Sequence, residues 1–304
     1  MVAQAKTDVL LLGIDGGGTQ CRARLANWEG RILAQATTGP ANVGLALHES
    51  VDAVIDATRQ CLRQSGLSGM EYRTVACLAL AGACEPSTRG RARELPLPFK
   101  RVVITNDARA ACIGAHASHD GAIVIVGTGS IAWGIVQGRE FRVGGWGFPL
   151  SDEGSGAWLG SRALTQVLHA HDGLLPWTSL LRALFERFQN DPYAIVRWMR
   201  DSRPRDYAAF APIICSQASQ GDAAARYLMQ SAAAHIDALS ARMVDQGAPR
   251  VSLLGGLAIS MQPYLSDRTR QFLHAPIGDA LDGALELART EAMGLSSQSE
   301  PAHG

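Results

Sequence analysis

Twice along this chain, about 110 residues apart, the same local pattern begins: an apolar run, a glycine-rich turn, a second run, a polar turn and a third run. The first copy reads VLLLGIDGGGTQCRARLAN and resumes after the turn at Trp28-Glu29-Gly30 with RILAQATT. The second reads GAIVIVGTGSIAWGIV and resumes at Gln137-Gly138-Arg139 with EFRVGG. Short apolar or alternating runs divided by glycine turns are strand signals. Their recurrence in the same order argues for duplicated lobes, each opening on a three-stranded β-hairpin unit.

Between the two openings, VGLALHESVDAVIDATRQCLRQSG has helical periodicity and stops at Gly66, while TVACLALAG and RVVITND read as buried strands. ARAACIGAHA, after Asn106-Asp107, predicts a small-residue helix packed closely on the sheet. The order β-β-β-α-β-α-β-α is that of a mixed α/β sheet. After the second opening comes a long helical region from about 152 to 246, then the strand RVSLLGG. At roughly 150 residues per domain, a chain of 304 residues predicts two domains.

Charge and composition narrow the function classes. Lys plus Arg equals Asp plus Glu at 28 each, so no global field favours nucleic acid or a membrane surface. No apolar run approaches the roughly 18 residues of a membrane helix, and the six-residue apolar stretch near the N-terminus is too short for a signal-peptide core. The six cysteines are irregularly spaced, without a CxxC, which predicts reduced thiols and a cytoplasmic location.

Three glycine-rich turns follow apolar strands: Gly16-Gly17-Gly18-Thr19, Gly127-Thr128-Gly129-Ser130 and Gly255-Gly256. A single glycine turn is more often only a turn. Three of them, two at matching places in a repeat, point to backbone amides gathered for a polyphosphate. GxxxxGK[ST] is missing, and GTGSIA, which formally fits a dinucleotide fingerprint, leads into a strand where that fingerprint needs a helix. Asp15 ends the first strand beside its glycine turn, where it could cap turn amides or hold hydrated Mg²⁺. Asp107 ends a strand and starts a helix, so helix capping competes with a role as general base. Asp152 and Glu153 stand in a loop before a helix, again a capping position. Carboxylates beside anion turns fit phosphoryl transfer to an alcohol, with a metal or a hydroxyl substrate between the charges. The pairs His116/His119 and His169/His171 have metal-like spacing but no accompanying cysteine or carboxylate cluster. TRGRARELPLPFKR reads as a solvated loop, and Trp146, set among glycines, could wall a sugar site.

Together GIDGGGT, TNDA, GTGS, GGWGFPLSDEGSG and LLGGLA, in this order over nearly the whole chain, resemble the motifs of the actin-like ATPase and sugar kinase superfamily. Within it they resemble the BadF/BadG-type group that contains N-acetylglucosamine and glucosamine kinases. The resemblance implies two duplicated actin-like (ribonuclease H-like) α/β lobes with a nucleotide and sugar cleft between them. Residues 1–118 plus a C-terminal helix at about 283–296 would form one lobe, and 119–282 the other. It implies ATP and Mg²⁺ as cofactors. Asp15 would position the metal through water, and Gly17, Gly18 and Thr19 would approach the β- and γ-phosphates. Thr128 and Gly129 would hold phosphate from the second lobe, and Gly255 and Gly256 would cradle the α-phosphate and adenosine. Asp107 would be the base on the sugar 6-hydroxyl, with Asn42, Trp146 and Asp152 at the amino sugar. Trp146 and Asp152-Glu153-Gly154 resemble N-acetylglucosamine kinases, whereas RPRDYAAFAP with the following Gly-Asp resembles glucosamine kinases; the former is the leading expectation. The partners implied are an amino sugar and ATP, with no nucleic acid and no membrane, and a homodimer is allowed.

Two rivals come from other classes. An activator of a partner enzyme would hold an iron–sulfur cluster through second-lobe cysteines, and there is no cysteine between Cys112 and Cys215. A sugar-responsive repressor would need a helix-turn-helix ahead of the first strand, where the reading leaves only eight residues.

Overall fold

The computed structural model describes residues 9–298, with side chains to Gly294. The expectation about the N-terminal stretch therefore lies partly outside the described residues. The chain divides into two compact units, one formed by residues up to His119 together with those from Pro276 onward, the other by Asp120–Ala275. No described helix is long and apolar enough to cross a membrane.

In the first unit, β1 (Leu10–Gly16), β2 (Cys21–Ala26) and β3 (Ile32–Thr38) form an antiparallel meander. After α1 (Leu47–Gln64), β4 (Thr74–Leu80) joins β1 in parallel. Helix α2 (Pro86–Glu94), β5 (Arg101–Thr105) and α3 (Asp107–His116) follow, giving the sheet order β3-β2-β1-β4-β5. Alternation along β1 sends Leu10, Leu12 and Ile14 into one apolar cluster, beneath α1, and Leu11 into another on the opposite face. Helix α1 ends where expected, with Gly66 at φ +68° just past its last turn.

TRGRARELPLPFKR is not all loop. Pro86 opens α2 at a position where its missing N–H costs nothing, and Thr88 and Ala92, one turn apart, are buried beneath it. The charged residues that suggested a solvated segment are the other faces of this helix. Also different is the neighbour of the small residues in α3. They face the C-terminal helix of the unit more than the sheet: a Cβ on Gly114 would stand 1.9 Å from the Asp279 carbonyl oxygen, and one on Gly283 would stand 1.9 Å from that of Ala110.

The second unit repeats the plan. β6 (Gly121–Val126), β7 (Ser130–Val136) and β8 (Arg139–Gly144) form the same antiparallel meander, and β9 (Val251–Leu254) joins β6 in parallel, in the order β8-β7-β6-β9. Between β8 and β9 run α4 (Gly156–His171), α5 (Ser179–Glu186), α6 (Pro192–Asp201), α7 (Pro204–Ala208), α8 (Ala211–Ser219) and α9 (Ala223–Asp245). These helices resolve the long helical region into separate elements packed on one apolar core. After β9 come α10 (Ala258–Met261) and α11 (Asp267–Gln271), and α12 (Ala280–Gln298) returns to the first unit. The two sheets share the antiparallel-antiparallel-parallel plan, so the duplication read from the two openings is present in the fold.

Candidate active site

In the first unit the C-terminal ends of the parallel strands β1, β4 and β5 bring Asp15, Asn42, Asp107 and the first glycine turn to one sheet edge. Asp15 pairs in register with Ala79 of β4, and Ala79 with Thr105 of β5, so Asp15 and Asp107 flank the end of β4. Asn42 bridges to Ala81, just beyond β4, and its side-chain oxygen accepts the Gly44 N–H at 3.0 Å. The turn after β1 closes with Gly17 N–H donating to the Gln20 carbonyl at 2.9 Å, and Thr19 is exposed at its tip.

The three consecutive glycines have different reasons. A Cβ on Gly16 would meet Leu80 at 2.6 Å and Ala41 at 2.9 Å, so packing requires glycine there. A Cβ on Gly17 would meet only the Gln20 carbonyl at 3.6 Å, and one on Gly18 would meet nothing within 4 Å. Neither fold nor backbone conformation accounts for these two, and both leave bare backbone open to an approaching anion, with the Gly17 N–H taken by Gln20 and the following amides left to donate.

Asp107 does not cap its helix. Asn106 does, its side-chain oxygen accepting the Arg109 N–H at 2.7 Å, so the capping reading of Asp107 is corrected in favour of its neighbour. Asp107 occupies the first helical position, and the hydrogen bond given to its carboxylate comes from the adjacent Ala108 N–H at 2.9 Å. Burial pushes its carboxyl up to about 6; the Asp15 charge adds to the rise, and the Ala108 N–H opposes it. Asp15 also departs from the turn-capping alternative: its Oδ2 accepts from Arg22 Nε at 3.1 Å and Nη2 at 2.5 Å. Arg22, directly across the hairpin from Asp15, had no signal of its own in the sequence beyond that register.

In the second unit two glycine turns lie side by side at the ends of the parallel pair β6 and β9. The Leu257 N–H donates to the Val126 carbonyl at 3.0 Å, and Gly255, at φ +95°, would drive a Cβ to 2.5 Å from that same oxygen. Gly255 is thus demanded by packing, whereas a Cβ on Gly256 meets nothing within 4 Å. The turn after β6 is held from behind. The first amides of α4, Gly156 and Ala157, donate to the carbonyls of Gly127 and Thr128 at 2.8 and 3.1 Å, turning the carbonyls of these residues toward the helix.

Asp152 leans over this turn, close enough that a Cβ on Gly129 would stand 2.6 Å from its Oδ2. It is not the helix cap either; Ser155 is, accepting the Trp158 N–H at 3.2 Å. Asp152 takes a positive φ of 69° and accepts the Gly147 N–H at 3.3 Å, closing the loop in which Trp146 sits. Burial raises its carboxyl, Glu153 adds to this, and the amides of Gly147 and Phe148 and the Arg142 guanidinium oppose it. Trp146 is 77 % exposed, with the Arg142 guanidinium 4.0 Å over its ring. Arg142, which also donates to the carbonyls of Gly144 and Gly145, is a second residue without a signal of its own in the sequence.

All six cysteines are free. Burial pushes the thiols of Cys21 and Cys77 up to about 12 and that of Cys61 to about 11, so these three carry no thiolate at neutral pH.

The BadF/BadG/BcrA/BcrD ATPase family matches residues 12–286. A glucosamine kinase from Vibrio cholerae serotype O1 is 40% identical over 278 residues, covering 91% of this chain and 95% of that one. A solved structure from Chromobacterium violaceum, put forward as an N-acetylglucosamine kinase, is 33% identical with a TM-score of 0.87, covering 93% of this chain and 99% of that one. A ROK family glucokinase from Streptomyces griseus, solved with glucose and AMPPNP, shares the fold alone at 18% identity, with a TM-score of 0.55 over 92% of this chain and 99% of that one. With its two sheets of one actin-like plan and its glycine turns at matching strand ends, this chain belongs to the BadF/BadG/BcrA/BcrD ATPase family.

Proposed function

We propose that this protein is an ATP-dependent amino-sugar kinase that transfers the γ-phosphoryl group of ATP to the 6-hydroxyl of N-acetylglucosamine. The observation that carries the reading is the division of labour at the start of α3. Asn106 caps the helix, and the Asp107 carboxyl, drawn up to about 6, is left to accept a proton near neutral pH. As the sugar O6 bonds to the γ-phosphorus and the bond to the β–γ bridging oxygen breaks, Asp107 takes the hydroxyl proton and ADP leaves. Phosphoryl transfer depends chiefly on positioning and charge neutralisation. Bare Gly17 lets the β- and γ-phosphates come close, and Gly18 with Thr19, and the backbone of Thr128 and Gly129, supply the donors to them. Gly255 and Gly256 receive the α-phosphate and adenosine.

Mg²⁺ usually keeps its waters and takes one or two carboxylates plus substrate phosphates. Asp15 suits that demand, because Arg22 engages Oδ2 and leaves Oδ1 for a metal-bound water. Bound there, the ion would neutralise charge on the phosphates.

Asn42, Trp146 and Asp152 are assigned to the amino sugar. A guanidinium beside Trp146 suits an acetamido group better than an ammonium. Glucosamine on the same mechanism is the second reading, favoured by the 40% identical relative that carries that activity in its name. We also place the enzyme in the cytoplasm; light scattering reads whether it is a homodimer, which the family resemblance allows.

A panel of hexoses and amino sugars incubated with ATP and Mg²⁺ tests the proposal. N-acetylglucosamine phosphorylated at O6 is the expected preferred product. A preference for glucosamine selects the second reading, and no phosphorylation of any sugar defeats both.

A further inference from the structure

Away from the glycine turns, α4 and α9 flank a cavity of about 710 Å³ within the second unit. Trp158, Arg162, Gln166 and His169, successive turns of one face of α4, form one wall; Ser231 and His235 of α9 stand on the other. Among the described residues no carboxylate lines the cavity. The Arg162 guanidinium lies 5.6 Å from the centre of the Trp158 ring, with no carboxylate paired to it among the described residues, and His235 meets the same ring edge-on at 5.3 Å. Gln166 Oε1 is buried without a hydrogen-bond donor. An orphaned acceptor in a cavity wall is an uncompensated desolvation; turning the half-exposed amide would present this oxygen to a ligand hydroxyl.

We propose that this cavity binds a phosphorylated sugar that carries no free amine. Arg162 presents two parallel N–H donors to a phosphate, and the imidazoles of His169 and His235 add N–H donors on either side. Trp158 offers an apolar face to the C–H face of a sugar ring. Gln166, its amide turned, accepts from one ring hydroxyl, and the hydroxyls of Ser231 and Thr178 pair with others. A free ammonium would meet the Arg162 charge and no carboxylate here, which disfavours an unacetylated amino sugar. None of these residues is assigned to the phosphate turns or to Asp107, so the site does not rest on the kinase reading.

Calorimetric titration of the full chain, with ADP and N-acetylglucosamine held in excess, uses N-acetylglucosamine 6-phosphate, glucosamine 6-phosphate and AMP as probes. Hydrogen exchange then locates whatever binds. The expected result is saturable binding of N-acetylglucosamine 6-phosphate that slows exchange over residues 158–169 and 223–235. Glucosamine 6-phosphate should bind at least tenfold more weakly, and Arg162→Met and Gln166→Leu should each weaken the acetylated ligand at least tenfold. Gln166→Leu removes the orphaned oxygen, so its melting temperature should not fall, which separates lost binding from lost folding. No saturable binding, protection elsewhere, or indifference to both substitutions would overturn the site. AMP binding there more tightly than either sugar phosphate would overturn the ligand class. The kinase reading is decided separately, by sugar phosphorylation.

Discussion

At the scale of single residues, Asn106 and Asp107 separate two roles that neighbouring polar side chains at a helix start usually confound. Asp107→Asn should lower kcat by about 10²- to 10⁴-fold, the contribution of a positioned base, with ATP affinity little changed. In the wild type, kcat should fall as pH drops through about 6 and the base takes up its proton. The stability effect has the opposite sense. A carboxyl raised in the folded state favours the protonated form, so its stabilising contribution is present below the usual value of 3.8 and is lost as pH rises through about 6. Asp107→Asn should therefore melt above the wild type at pH 8, with the gap narrowing below about 6 and closing toward 3.8. Asn106→Ala should lose about 1 kcal/mol of stability as a lost cap. If Asp107→Asn shows that loss instead, the assignment of the two roles is reversed. Gly17→Val is the companion test at the turn. Its Cβ meets only the Gln20 carbonyl at ordinary contact distance, so the fold should survive while nucleotide binding weakens; normal binding would make the turn structural only.

At the scale of elements, α12 shows how close two helices come when small residues meet. Arg24, 13 % exposed, pairs with Asp279 and Asp282 ahead of and within the first turn of α12. Gly283 and Gly114 let α12 approach α3, and Ala284, Ala288 and Ala292 bury along its length. Gly283→Val would force a side chain into the Ala110 carbonyl, an overpacking of the kind that typically costs about 1–3 kcal/mol and occasionally more. The expected readout is a melting temperature lower by several degrees, or no soluble protein. An unchanged melting temperature would mean that α12 is free to shift on α3. A similar logic explains the reading of α2: its charges were visible in the sequence, but the two buried positions one turn apart were too few to stand out.

For the whole molecule, the kinase reading asks residues of both units to serve one reaction, and ligand linkage measures that demand. A nucleotide analogue at about 100 times its dissociation constant should add about 2.7 kcal/mol of stability. Trp146→Ala should raise the KM for sugar far more than that for ATP. Equal changes in both would indicate general damage to the second unit, and no change would remove Trp146 from the site.

What the sequence determined by itself was whatever depends on local order along the chain. The two hairpin openings, the strand ends that carry Asp15, Asp107 and the glycine turns, and the end of α1 at Gly66 follow from periodicity and turn chemistry, which act within a few residues. Tertiary structure decided whatever depends on neighbours distant in sequence. Gly16 and Gly17 are indistinguishable in the sequence, and only the approach of Leu80 and Ala41 makes one a packing glycine and leaves the other open. Arg22 and Arg142 gained meaning only from the register that sets one across from Asp15 and from the loop that brings Trp146 back over the other. The Asp107 proton is of the same kind: a carboxylate's affinity for it is set by the water it loses and the charge at Asp15, and both are consequences of packing.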